Sequence, residues 1–135
     1  MTDAVAPAPS TGRLITAAAM GAIGALHFVA PKNFDGLIPK ALGNPRIWTY
    51  GSGLAELAAG ALLARRSTSK VGALWLLIVF VGVWPGNWKA AIDGGMGASP
   101  PFDSAGVAWA RVPLQLPMIW WAYHLYKRAQ VDPAL

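Results

Sequence analysis

Four apolar stretches, separated by short polar or proline-rich segments, divide this chain. The first covers residues 14–30, LITAAAMGAIGALHFVA; it follows Arg13 and stops at Pro31. The second covers 46–64, RIWTYGSGLAELAAGALLA, and stops at Arg65 and Arg66. The third covers 71–91, VGALWLLIVFVGVWPGNWKAA, and the fourth 107–126, VAWARVPLQLPMIWWAYHLY, which ends at Lys127 and Arg128. Each is roughly 17–21 residues, enough to cross about 30 Å of hydrocarbon at about 1.5 Å per residue. Backbone groups in lipid have to be paired within their own segment, so such stretches are expected to be helices. A soluble helix needs a polar face, and residues 71–83 offer none. The pattern predicts an all-α protein: a membrane-embedded four-helix bundle over residues 13–128, with a disordered cytoplasmic tail at 1–12 and a second cytoplasmic tail at 129–135.

The connecting segments set the orientation. Arg13, Arg65, Arg66, Lys70, Lys127 and Arg128 fall on one side, and the segment RRSTSK carries no acid. Lys32, Lys40 and Arg46 fall on the other side, with Asp35, Asp93 and Asp103 nearby. Basic residues favour the cytoplasmic face, which places both termini in the cytoplasm of a multi-pass cell-membrane protein of the bacterial inner-membrane type. The first outer segment, PKNFDGLIPKALGNP, spaces Phe34, Leu37 and Ile38 as on a helix. It reads as a short interfacial helix, with an irregular loop as the alternative. The segment DGGMGASPPFDSAG is rich in Gly and Pro and is expected to be flexible.

Composition agrees with a lipid-facing surface. Hydrophobic residues make up 55% of the chain and charged residues 13%, against about 25% charged in an average soluble domain. The net charge of +5 follows from helix-end basic residues and points to no nucleic-acid partner. Cysteine is absent, so thiol redox relays and Cys-ligated metals are excluded. No basic region precedes the first stretch as a signal peptide requires, and that stretch is expected to act as an uncleaved anchor.

Aromatic residues gather near helix ends: Trp48, Tyr50, Trp84, Trp88, Trp109, Trp121, Tyr123 and Tyr126 suit a headgroup-level belt. Trp120 lies deeper and is expected to line the interior. Gly51, Ala55 and Ala59, and likewise Gly21 and Ala25, recur at four-residue spacing and are expected to let helices approach closely.

The most informative residues are polar ones inside apolar stretches: His27, Ser52, Glu56, Asn87, Lys89, Arg111 and Gln115. An ionisable group in the bilayer costs on the order of 3 kcal/mol unless paired or hydrated. Ser52 and Glu56 share a helix face, as do Arg111 and Gln115. Placed by the orientation above, these groups collect in the outer half and suggest a cup opening away from the cytoplasm, with Glu56 near its floor. Glu56 and Arg111 are expected to pair, directly or through water and Gln115, because the guanidinium fork suits a carboxylate; an unpaired Glu56 is expected instead to stay protonated through desolvation. Lys89 is expected to reach the outer surface. His27 has no second His at ligand spacing, and no metal site is expected. A structural role for these residues, a ligand-binding role and acid–base catalysis all remain open at this level.

The runs LHFVAPKNFDGLIPKAL, YGSGLAELAAGALL, NWKAAIDG and ARVPLQLPMIWWA resemble the DoxX-like family of small four-helix membrane proteins. His27, Pro31, Pro39, Ser52, Gly53, Glu56, Gly60, Asn87, Arg111, Pro113, Gln115 and Pro117 carry the resemblance. It implies membrane roles that differ among relatives: a subunit of a thiosulfate:quinone oxidoreductase, members of oxidative-stress complexes, and a receptor chaperone.

Three functions follow as expectations. The first is a non-catalytic accessory or chaperone-like subunit for other membrane proteins, with the lipid bilayer, such proteins or a homo-oligomer as partners. The second is a binder of a small amphipathic lipid or quinone in the polar cup, built from His27, Ser52, Glu56, Asn87, Arg111, Gln115 and Trp120. The third is an oxidoreductase subunit using Glu56 and His27 for proton transfer. No cofactor is identified from the residues; a quinone is the one candidate.

Overall fold

Local chemistry sets where the helices begin and end. The computed structural model describes residues 11–97 and 99–132; the tail expected over 1–12 falls mostly outside these, as do the last three residues of the chain. Helix α1 (Thr11–Val29) ends just before Pro31. A single turn, α2 (Lys32–Asp35), follows and is broken at Gly36. Helix α3 (Pro45–Ala64) starts where the Asn44 side chain accepts from the Arg46 backbone N–H at 3.0 Å and Pro45 takes the first helical position. Both devices suit a helix start, where the first N–H groups lack partners. Helix α4 (Ser69–Ile92) comes after one 3₁₀ turn, in which the Thr68 hydroxyl donates to the Leu62 carbonyl at 2.7 Å and so caps the end of α3. Helix α5 (Ala105–Val131) begins at Ser104, whose hydroxyl accepts from the Val107 N–H.

The protein is all-α: among the described residues there are no strands, and the four long helices contain the four apolar stretches, apart from Ala30. Helix α5 runs on to Val131, into the segment expected to be a tail. Helix α1 packs along α3, α3 against α4, and α4 along α5. Trp121 then donates to the Thr16 hydroxyl at 2.9 Å and draws α5 back to α1.

Glycines set the α1–α3 spacing. A Cβ on Gly24 would sit 2.9 Å from the Gly53 carbonyl oxygen, one on Gly53 would sit 2.7 Å from His27 Cβ, and one on Gly60 would sit 2.8 Å from the Ala17 carbonyl oxygen. The seam on α3 is therefore Gly53, Glu56 and Gly60, not the stripe of Gly51, Ala55 and Ala59. Gly51 and Gly21 have open space where a Cβ would go, and Ala25 is exposed. Four-residue spacing occurs on several faces of an Ala- and Gly-rich helix; the close backbone approach to α1 lies on the face that carries Glu56, while Ala59 is buried in the core.

Polarity is inverted relative to a soluble protein. Ile15, Ile47, Ile78 and Leu116 are exposed at 54–69%, whereas Glu56, Asn87 and Gln115 are at 7% or less. One apolar cluster, around Ala59, Leu63, Leu76, Phe80 and Leu125, fills one end. A second, of Ala90, Met96, Ala108 and Val112 with Phe34, Leu37 and Phe102, fills the other. On α4 and α5, Asn87 and Gln115 fall between residues of the two clusters; on α1 His27 follows Ala17 and Met20, and on α3 Glu56 precedes Ala59 and Leu63. Two helical stretches, Thr11–Val29 and Arg66–Ile92, are long and apolar enough to cross a bilayer, which is two of the four spans expected from the sequence.

The Gly- and Pro-rich segment after α4 is folded down rather than open. Met96 is fully buried, its N–H donates to the Phe102 carbonyl, and its carbonyl abuts Gly36 so closely that no side chain would fit there. The apolar residues Met96 and Phe102, scattered among glycines, are what anchor it.

Candidate functional site

The candidate site grows from one buried residue on each helix. His27 on α1 faces Glu56 on α3, with Nδ1 3.2 Å from Oε2. The same Nδ1 lies 2.9 Å from the Ile23 carbonyl oxygen. A carbonyl only accepts, so Nδ1 carries the proton and directs it to the backbone. Glu56 gains proximity rather than an aligned bond, and its buried Oε2 accepts no hydrogen bond from any described group.

Opposite, α4 and α5 are joined by a chain of donors running one way. Arg111 Nε donates to Asn87 Oδ1 at 3.2 Å, Asn87 Nδ2 donates to Gln115 Oε1 at 3.0 Å, and Gln115 Nε2 donates to the Phe80 carbonyl at 2.7 Å. Phe80 lies one residue before Val81, whose carbonyl loses its backbone donor to Pro85. A cation at the head polarises each successive bond, so the two amides hold Arg111 in place. Trp84 adds a bond to the Val112 carbonyl at 3.1 Å, beside Pro113.

Among the sequence-selected residues, His27 and Glu56 form one half of the site and Asn87, Arg111 and Gln115 the other. The expected contact between Glu56 and Arg111 is not made: no nitrogen–oxygen pair between them lies within 4.0 Å, and Gln115 turns to Phe80 instead of bridging. Ser52 is half-buried and bonds to none of the other members. Trp120 is corrected: it is 62% exposed and stacks on His124 at 5.3 Å. At roughly 100° per residue it lies about 140° around α5 from Gln115, a rotation that its depth in the sequence does not reveal.

A cap closes one end of the site. Phe34 of α2 stacks on the His27 ring at 3.7 Å. Its neighbour Asp35 is latched to the start of α3: Arg46 Nη2 donates to it at 2.8 Å and the buried Thr49 hydroxyl at 2.7 Å. Burial alone would raise the Asp35 carboxyl, but the hydrogen bonds from Arg46 and Thr49 outweigh it and hold the group below its ordinary value. Lys89, expected at the surface, donates to the Gly36 carbonyl at 3.0 Å and pairs with Asp93, tying the cap to α4. A cleft of about 780 Å³ lies on the cap, lined by Ala30, Lys32, Asn33, Arg46, Met96 and Ser99; His27, Glu56 and Arg111 do not line it.

Sequence reasoning passed over Thr49 and Arg13. Thr49 falls on the face that continues through Gly53, Glu56 and Gly60, which is a legible signal. Arg13 is buried at 6%, and its guanidinium donates to the Leu63 carbonyl at the end of α3, where the last carbonyls need donors. Nothing in the sequence separates it from the other helix-end basic residues. Among the described residues, no group of three or more His, Asp or Glu side chains is placed to hold a metal ion.

No curated protein and no solved structure matches the chain. A family model described as a domain of unknown function, DUF8561, matches residues 16–126. The resemblance to the DoxX-like family is thereby overturned, because the matching family is a different one. Helix-end prolines and a few polar residues in order are features that small helical proteins with buried polar groups share, and they do not single out one family. The chain belongs to the DUF8561 family.

Proposed function

We propose that this protein is a four-helix membrane bundle, with both termini cytoplasmic, that holds a small amphipathic molecule by its polar head between Glu56 and Arg111. The observation that carries the reading is the buried Glu56 Oε2, which has no donor, in a bundle that also holds the Arg111 guanidinium, whose terminal amino groups meet no described acceptor. An unsatisfied buried acceptor costs about 1–3 kcal/mol, and a protein built only for stability gains nothing by keeping one. The inverted polarity supports placement of all four helices in lipid: Leu54 on α3 and Leu114 and Leu116 on α5 are as exposed as Ile78 on α4. The bilayer would then be the source of the ligand.

The test is native mass spectrometry of the protein taken from membranes in mild detergent. The reading predicts a retained small molecule at one copy per chain, lost in Glu56→Ala. A bare chain in the wild type contradicts it.

A further inference from the structure

Resting on the membrane placement but not on the ligand site, we infer that the end of the bundle opposite the cap is a docking surface for anionic phospholipids, which it holds by their phosphate groups. Arg65 and Arg66 after α3, Lys70 in the first turn of α4, and Lys127 and Arg128 in the last turns of α5 are all exposed. The fold brings these three segments to one place. Leu63, Ala73 and Leu125 share one apolar cluster, and each of the five cations lies two or three residues beyond one of them.

A cation at a helix C-terminus can serve the helix itself by donating to its last carbonyls. After α3 other groups already do so: Arg13 donates to the Leu63 carbonyl, the Thr68 hydroxyl to that of Leu62 at 2.7 Å and the Ser69 hydroxyl to that of Arg66 at 2.9 Å. The side chains of Arg65, Arg66, Lys70, Lys127 and Arg128 make no hydrogen bond or ion pair with any described group. Acids do not answer them. Asp35 and Asp93 lie at the cap end and hold cations of their own, Arg46 and Lys89. Among the described residues the acid at the opposite end is Asp132. The cap end thus pairs its charge internally, and this end leaves its charge unspent.

The class of partner follows from what borders the cations. Val71 and Leu74, beside Lys70, are 59% and 41% exposed, and Leu14 and Ile15 on α1 are 45% and 63% exposed. A partner that meets cations and apolar side chains next to one another carries its anion at the head of an apolar tail. A nucleic acid or an acidic protein would leave the apolar border bare. Basic clusters of about four to eight residues beside membrane spans attract anionic lipid in this way.

The test uses the full-length protein in nanodiscs of equal parts phosphatidylglycerol and phosphatidylcholine at pH 7, with the retained lipids identified by native mass spectrometry. The two leaflets are identical, so orientation does not enter. Phosphatidylglycerol is expected to be retained at least about fivefold over phosphatidylcholine. The triple variant Arg65→Gln, Arg66→Gln, Lys70→Gln and the double variant Lys127→Gln, Arg128→Gln are each expected to reduce that preference at least about twofold with the melting temperature unchanged. Lys32→Gln with Lys40→Gln, which removes exposed cations of the cap end, is expected to preserve it. Equal retention of the two lipids by the wild type overturns the inference, as does a loss in the cap-end variant as large as in the other two. A protein or nucleic acid that co-purifies with the wild type and is lost in the triple variant, with the two lipids retained alike, gives this end a different partner and also overturns it. Retention of no phospholipid overturns both the inference and the membrane placement. The small molecule expected between Glu56 and Arg111 is read in the same spectra, so its absence beside an intact phosphatidylglycerol preference strikes the ligand reading alone.

Discussion

Replacing Asn87 with Leu is the sharpest probe of the polar interior. Leucine matches asparagine in branching and heavy-atom count, so the change removes hydrogen bonds without opening a cavity. Asn87 is 2% exposed and accepts from Arg111 at 3.2 Å while donating to Gln115 at 3.0 Å. Its loss leaves Gln115 Oε1 without a donor and Arg111 Nε without an acceptor. In water-soluble proteins each orphaned buried group costs about 1–3 kcal/mol; interhelical bonds between membrane helices average about 0.6 kcal/mol. Two such losses place Asn87→Leu on the order of 1–6 kcal/mol less stable. Gln115→Leu is expected in the same range, since it leaves Asn87 Nδ2 without its acceptor and takes the side-chain donor from the Phe80 carbonyl. The double variant removes both ends of the shared bond at once, so it should cost less than the sum of the singles by about 1 kcal/mol. Reversible unfolding in mixed micelles, run as a double-mutant cycle, measures this. Additivity within about 0.3 kcal/mol would show that the two amides do not act as one chain of donors.

Other consequences are equally direct. Gly60→Ala brings a methyl group to 2.8 Å from the Ala17 backbone oxygen and should cost about 1–3 kcal/mol, while Gly51→Ala, with nothing within 4 Å, should be neutral or slightly stabilising; equal losses in a thermal melt would refute the seam. The Asp35 latch should make the cap acid-sensitive. A carboxyl held below its unfolded value contributes stability above that value, about pH 3.9, and loses it as pH falls through the folded value. Wild-type melting should therefore drop more than that of Asp35→Asn between pH 6 and pH 3, and parallel curves would remove the latch from the account. Arg13→Ala leaves the Leu63 carbonyl without its guanidinium donor and should destabilise by about 1–3 kcal/mol; Arg66→Ala, an exposed neighbour, should change melting little.

How much of this was legible depends on what each signal encodes. The four long helices were readable because an apolar run of about 20 residues leaves the backbone few alternatives. The polar members could be picked out because a carboxylate or amide inside such a run has to be accounted for. Their partners could not: Glu56 meets His27, and Arg111 meets Asn87, because of rotations about helix axes that a one-dimensional pattern leaves open. Trp120 failed for the same reason, since depth along α5 says nothing of its azimuth. The segment after α4 was expected to be flexible because Met96 and Phe102 are two apolar residues among many glycines, and their burial depends on Gly36 and Leu37 arriving from another segment. Family membership was misassigned because the residues that carried the resemblance are those any small bundle with a polar interior would use.

The central claim is that the polarity is inside out on all four long helices, including α3 and α5, whose Glu56, Arg111 and Gln115 dilute their hydropathy. The absence of cysteine allows single spin labels without background. Labels at Ile15, Leu54, Ile78 and Leu116, one per long helix and all exposed, should in nanodiscs collide readily with dissolved oxygen and be shielded from a water-soluble nickel chelate. A label at Leu54 or Leu116 that the chelate reaches as freely as it reaches a label in water would place that helix outside the bilayer and contradict the account.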